Sequence, residues 1–252
     1  MRPMKNLGIK IIVNADDFGK DASTTEAILR CLREGNITHT TCMVNMPYCA
    51  EAMRLAKENG VLDRIGLHVN LTEGIPLTDG IKKFSLFCDS AGQFNGAKYR
   101  SGLKTRFLLP LEVQQAVKTE VEAQAKRFVE LGGALMHADS HHHVHFDWSV
   151  GRIVVSKLKA MGFRTIRIGY NSGNGRRLPV RIYRAIYNKW IRCQIGARSD
   201  WFCSYPGYQN ETEKWKNRSG TVEIMVHPMI VDGVIRDGEK GATMSLVGEL
   251  IK

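Results

Sequence analysis

A chain of 252 residues, 43% of them hydrophobic, is long enough to bury a sizeable core, and an α/β barrel of this length is one domain. Lys and Arg outnumber Asp and Glu by 36 to 25, a formal charge of +11 that raises nucleic acid or an acidic surface as a partner. No nucleic-acid-binding motif accompanies that charge and no apolar run reaches the length of a membrane span, so a soluble enzyme with a basic exterior is the expectation.

The N-terminal stretch carries Arg2 and Lys5, but its apolar run is short and broken by Lys10, which makes a poor signal peptide. Ile11, Ile12 and Val13 then form a β-branched run that suits a buried strand, and it stops at the adjacent carboxylates Asp16 and Asp17. Gly19 lets the backbone turn away. Ser23 with Glu26 is a capping-box pattern, followed by helical periodicity through Ala27, Ile28, Cys31 and Leu32, with Gly35 as the stop.

Residues 37–46 read as a second strand closed by Pro47, residues 49–59 as a helix ending at Gly60, and 64–71 as a third strand that delivers His68. Residues 72–110 form a long connection without periodicity, the kind that serves as a lid or binding loop or is disordered. A helix over 111–131 follows, with Pro110 before it, Val113, Ala116, Val117, Val121 and Phe128 on one face, and Gly132-Gly133 after it. Residues 134–139 form a fourth strand opening into Ser140-His141-His142-His143-Val144-His145. A helix over 150–161, a strand over 164–168, a helix over 178–195 and a last strand over 221–226 ending in His227-Pro228 complete the pattern. In the 178–195 helix Leu178, Ile182, Ile186 and Trp190 share a side, with Arg177, Arg181, Arg184 and Arg192 largely elsewhere. Its arginines are expected to be a solvated face or a subunit contact in a homodimer, and a docking face only for a membrane-held substrate.

The βα alternation favours a parallel sheet, closed as a barrel or open and doubly wound, in one domain over 1–252. Strand ends then supply Asp16, Asp17, His68, the His141–His145 cluster and His227, which a barrel gathers on one face. Carboxylates with neutral imidazoles suit Zn²⁺, Mg²⁺, Mn²⁺ or a similar ion. Taken alone, His68 in an apolar strand reads as a hydrogen-bonded core residue; the coincidence of four such groups at strand ends outweighs that reading. If the cluster is extended, His141, His143 and His145 share a face and His142 points away. His137 and Asp139 are either orienting groups or plain strand residues. The six cysteines (31, 42, 49, 88, 193 and 203) show no paired metal-type spacing and fit reduced thiols in a cytoplasmic protein.

The segments NADDFG, GLHVNLTEGIPL, HADSHHHVH and MVHP occur in the order and rough spacing of the YdjC-like carbohydrate deacetylases, which the chain resembles over most of residues 8–230. The resemblance implies a deformed (β/α) TIM-like barrel with one divalent metal ion, Mg²⁺ or Zn²⁺, acting on an N-acetylated saccharide, chitooligosaccharide-like or lipid-linked. By motif, Asp17, His68 and His141 are the expected metal ligands and Asp16 the general base. His143, His145, Asn70 and Glu73 are expected on the substrate side. Met229 stands after His227-Pro228 where the family often has glycine.

Amide hydrolysis needs an activated water, a stabilised oxyanion and a proton for the leaving amine, which fits this set with His227 as the acid. Trp148, Tyr170, Trp201 and Tyr205 are candidates to stack on sugar rings. Two other readings remain open at this level. One keeps the metal for a phosphoesterase or a different amidohydrolase; the other is a basic membrane- or RNA-associated binding protein with a structural metal.

Overall fold

The first strand, β1 (Ile9–Phe18), lies between β2 (His39–Cys42) and β7 (Gly220–Val226), and every pairing in its sheet is parallel. The computed structural model describes residues 8–173, 177–239 and 241–252, so Arg2 and Lys5 lie outside the described residues. With β3 (Ile65–Val69), β4 (His137–Ser140), β5 (Thr165–Ile166) and β6 (Trp201–Ser204), the sheet runs in the order β5-β4-β3-β2-β1-β7-β6. Because β7 pairs with β1, that order is cyclic with one break, between β5 and β6. This is a deformed (β/α) barrel rather than a doubly wound sheet. Across the break, Ile166 N donates to Gly196 O, and Asn171 exchanges hydrogen bonds with Phe202, without a continuous ladder.

The helices cover the outside of the sheet. They are α1 (Ala22–Arg33), α2 (Cys49–Glu58), α3 (Asp79–Lys82), α4 (Gly96–Ser101), α5 (Leu111–Glu130), α6 (Trp148–Ala160) and α7 (Leu178–Gln194). Short helices α8 (Tyr205–Gln209) and α9 (Thr212–Trp215) lie between β6 and β7, and α10 (Met244–Gly248) follows the antiparallel hairpin β8 (Pro228–Val231) and β9 (Val234–Asp237). No helix among the described residues is long and apolar enough to cross a membrane.

Most predicted elements recur; β2, β3, β4 and β5 are shorter than expected, and β1 is longer. α1 begins differently: its cap is Asp21, whose carboxylate accepts from Thr24 N at 2.8 Å, so Ser23 lies inside the helix rather than at its end. α5 buries the predicted stripe. It also buries Glu120, which accepts from Leu77 N and Thr78 N at 3.0 and 2.9 Å and so pins the start of the long connection. That connection is ordered, with Ile81, Phe87, Phe94 and Tyr99 in the core. α7 turns Tyr187, Asn188 and Ile191 inward, which leaves its Leu178, Ile182 and Ile186 stripe facing out.

Candidate metal centre

Between Ala15 and Phe18, β1 advances three residues while β2 advances two, from Thr40 to Cys42. The extra residue is absorbed at Asp17, whose φ of 71° is left-handed. Adjacent carboxylates therefore leave the strand in different directions. Gly19 follows at φ 81°, where a Cβ would lie 3.0 Å from the Cys49 Cα and 3.2 Å from the Cys42 Sγ, so only glycine allows the chain to turn here.

Asp17 points to two imidazoles. Its Oδ1 lies 3.2 Å from His68 Nε2 and 2.9 Å from His141 Nδ1. Each ring is held from its other side by a second carboxylate. Asp139, register partner of His68 across β3 and β4, takes His68 Nδ1 at 2.6 Å, and Glu73 Oε2 takes His141 Nε2 at 3.0 Å. Thr41 donates to Asp139 at 3.1 Å, and Lys20 holds Glu73 at 3.0 Å. With one nitrogen of each ring donating outward, the other presents its lone pair at the common point beside Asp17. The three donor atoms lie within 4.8 Å of one another. Burial opposes charge on both rings, but Asp139 and Asp17 push His68 up to about 10, and Asp17 and Glu73 raise His141.

Asp16 turns inward instead. Burial opposes its ionisation, yet two nitrogens of Arg167, each at 2.7 Å, hold it far below the usual carboxylate range. Asn14 Nδ2 adds a bond at 2.9 Å. Arg167 follows β5 and is wholly buried, reaching Asp139 and Glu223 at 2.7 Å each; Arg198 reaches Glu223 at 3.0 Å. Asp16, His68 and Asp139 also cluster, but the guanidinium already occupies both carboxylates there, which leaves no room for a cation.

Charge balance separates the two positions. Asp16, Asp17, Asp139 and Glu223 set four negative charges against the two of Arg167 and Arg198, which leaves a surplus of two. A divalent cation beside Asp17 cancels that surplus and relieves the two imidazoles of their protons. The donor set therefore fits a divalent ion.

The histidine cluster departs from the expected extended geometry. Residues His141–Phe146 form a tight turn with His142 and His143 at φ 50° and 55°, so alternation of faces does not apply. His141 faces Asp17. His142 Nδ1 pairs with Thr72 Oγ1 at 2.9 Å, and His143 Nε2 pairs with Tyr170 Oη at 3.0 Å. His145 is wholly buried, with Nδ1 against the Ser140 hydroxyl and Nε2 donating to Arg167 O at 3.0 Å, so it braces the turn. Asn70 is likewise engaged within its own loop: Oδ1 accepts from Thr72 N and Glu73 N at 3.0 and 3.1 Å, which sets Glu73 under His141. His227 sits just past β7, and its backbone N–H donates to Asp237 at 2.8 Å. Of the sugar-stacking candidates, Tyr170 lies beside His143 and Trp148 is partly exposed. Tyr205 is buried, and Trp201 opens β6 at the opposite rim under the Arg218 guanidinium. Arg167 and Glu223 carry no motif of their own, although Glu223 is the lone charge in the apolar pattern over 221–226 and Arg167 stands between Ile166 and Ile168.

Fold and site together define an α/β barrel-like protein with a candidate divalent-metal centre on the C-terminal rim of its sheet. The YdjC-like protein family model matches residues 10–246, and the chain belongs to that family. It is 31% identical over 232 residues to a carbohydrate deacetylase of Halalkalibacterium halodurans, covering 90% of this chain and 88% of that one. It is 30% identical over 230 residues to a carbohydrate deacetylase of Vibrio cholerae, covering 90% and 81%. A crystal structure of a candidate cellobiose-phosphate cleavage protein from Enterococcus faecalis V583 shares the fold, with TM-score 0.68 and 24% identity over 89% of this chain and 83% of that one.

Proposed function

We propose that the protein hydrolyses the acetamide of an N-acetylated saccharide, with one divalent ion, Mg²⁺ or Zn²⁺, held by Asp17, His68 and His141. The observation that carries this reading is the convergence of two carboxylate-backed imidazoles on one Asp17 oxygen, in a chain whose relatives are named carbohydrate deacetylases. When bound, such an ion supplies Lewis acidity toward an acetyl carbonyl and toward water.

The remaining chemistry falls to the chain's own groups. Asp16 stays ionised beside Arg167 and keeps spare lone pairs for the proton of the attacking water, the role of general base. Arg167 fixes the orientation of that carboxylate at the cost of some basicity. His227, past the end of β7, would protonate the departing sugar nitrogen. His143 and Tyr170, paired at 3.0 Å, stand on the side where the rest of the saccharide would lie.

The test is acetate release from a panel of N-acetylated mono- and oligosaccharides by metal-loaded protein. Activity is expected with at least one sugar. Asp16→Asn should retain metal and lower kcat by about 10²-fold or more, whereas Asp17→Asn should lose metal and recover partly when the ion is in excess. No acetate from any sugar with any divalent ion overturns the reading; rescue of Asp16→Asn by metal reverses the two aspartate roles.

A further inference from the structure

The outward stripe of α7 is part of a larger surface. Leu178, Ile182 and Ile186 are 65%, 52% and 67% exposed at helical spacing. Across from them, residues 103–111 present Leu103, Phe107, Leu108 and Leu111, the last 82% exposed. The two segments touch: the Phe107 and Tyr183 rings meet edge to face at 6.1 Å, and Ser149 Oγ donates to Thr105 O beside Trp148. Trp148 in turn packs against Trp190 of α7 at 5.1 Å. Exposed aliphatic side chains on this scale, with partly exposed aromatic rings among them, mark a binding face rather than ordinary surface.

Charge selects the partner. Residues 96–111 carry four Lys or Arg and residues 177–194 carry five, and neither segment contains an Asp or Glu. Arg106 and Arg192 face Asp147 and Asp200 of neighbouring segments at 3.9 and 3.8 Å. A second copy docked by a two-fold axis would set this basic face against itself. An anionic bilayer offers the opposite charge to the basic groups and an acyl boundary to the aliphatic ones.

We propose that residues 103–111 and the outer face of α7 dock the protein on an anionic membrane surface. A cleft of about 320 Å³ lined by Leu178, Arg181, Ile182 and Tyr170 runs from this face toward the site, since Tyr170 bonds His143 next to His141. The proposal does not depend on the reaction catalysed.

The experiment is vesicle flotation of the intact protein with phosphatidylcholine vesicles, with and without phosphatidylglycerol. Binding is expected only with phosphatidylglycerol, and it should weaken as salt rises. The triple variant Leu108→Ser, Ile182→Ser, Ile186→Ser changes exposed positions only and should lower partitioning by about tenfold or more. Arg181→Glu with Lys189→Glu should lower it as well. Absence of wild-type binding at low salt overturns the proposal, as does full binding by the triple variant. A solution dimer dissolved by the triple variant, with vesicle binding intact, assigns the face to a second copy instead.

Discussion

His68 owes its orientation to Asp139, a residue that stands behind the ring and on the far side from Asp17. Asp139→Asn keeps the shape but removes the charge that fixes which nitrogen carries the proton. Metal affinity should fall by about 10–100-fold with the fold retained, as titration calorimetry can measure; unchanged affinity would mean that Thr41 alone orients the ring. At this scale the sequence was informative about position: Asp16, Asp17, His68 and His141 were all expected at strand ends, where the structure finds them. Asp139 admits two readings in the sequence, because alternation alone does not say what a strand residue faces. The pairing of His68 with Asp139 needed the β3–β4 register, which one chain read locally does not contain. Arg167 and Glu223 depend on the same kind of information, since the partners of Arg167 come from β1, β4 and β7 and those of Glu223 are Arg167 and Arg198 from connecting segments.

Among elements, the long helices and their glycine stops were readable because 3.6-residue periodicity over many residues is hard to mimic. The hairpin of β8 and β9 and the short strand β6 were not, since no long helix separates them from the next strand, the alternation that made the equally short β2 and β4 legible. The histidine turn failed for a different reason. Two consecutive left-handed histidines leave no trace in residue type, and the turn is fixed by contacts from elsewhere, chiefly Ser140 and the Tyr187 hydroxyl on His145 O. Gly151 of α6 makes that packing feasible: a methyl group there would overlap both the Tyr187 hydroxyl and His145 O. Gly151→Ala should destabilise the protein by about 1–3 kcal/mol in urea unfolding and weaken metal binding by shifting His141. Tyr187→Phe in the same chain should recover part of the loss; no change from Gly151→Ala would show that α6 has slack.

For the molecule as a whole, two histidines at the N-terminal rim of the barrel contribute to its response to acid. His39 opens β2 and His137 opens β4; burial and then the Arg198 charge hold His39 down to about 4 and His137 well below its ordinary value. The unfolded chain binds these protons near pH 6.5, but the folded one does not until much lower pH. Stability should therefore fall as pH drops from about 6.5 to 4, by up to about 1.4 kcal/mol per pH unit for each histidine. His39→Gln should flatten that slope in thermal melts followed across the window; an unchanged slope would place the acid sensitivity in the other histidines held low, His137, His142, His143 and His145. The opposite rim has its own mechanics. Six of the seven joins around the ring are backbone ladders, and the join between β5 and β6 is not. Arg167 acts there as a spoke, running from the end of β5 through the hollow to Asp16 on β1 and Glu223 on β7. A hoop opens first at its unladdered join, and this one is spanned by the Ile166–Gly196 and Asn171–Phe202 bonds, while the guanidinium that ties the end of β5 across the hollow also aims Asp16. The tension of the ring and the aim of that carboxylate are one adjustment: whatever loosens the hoop also turns Asp16.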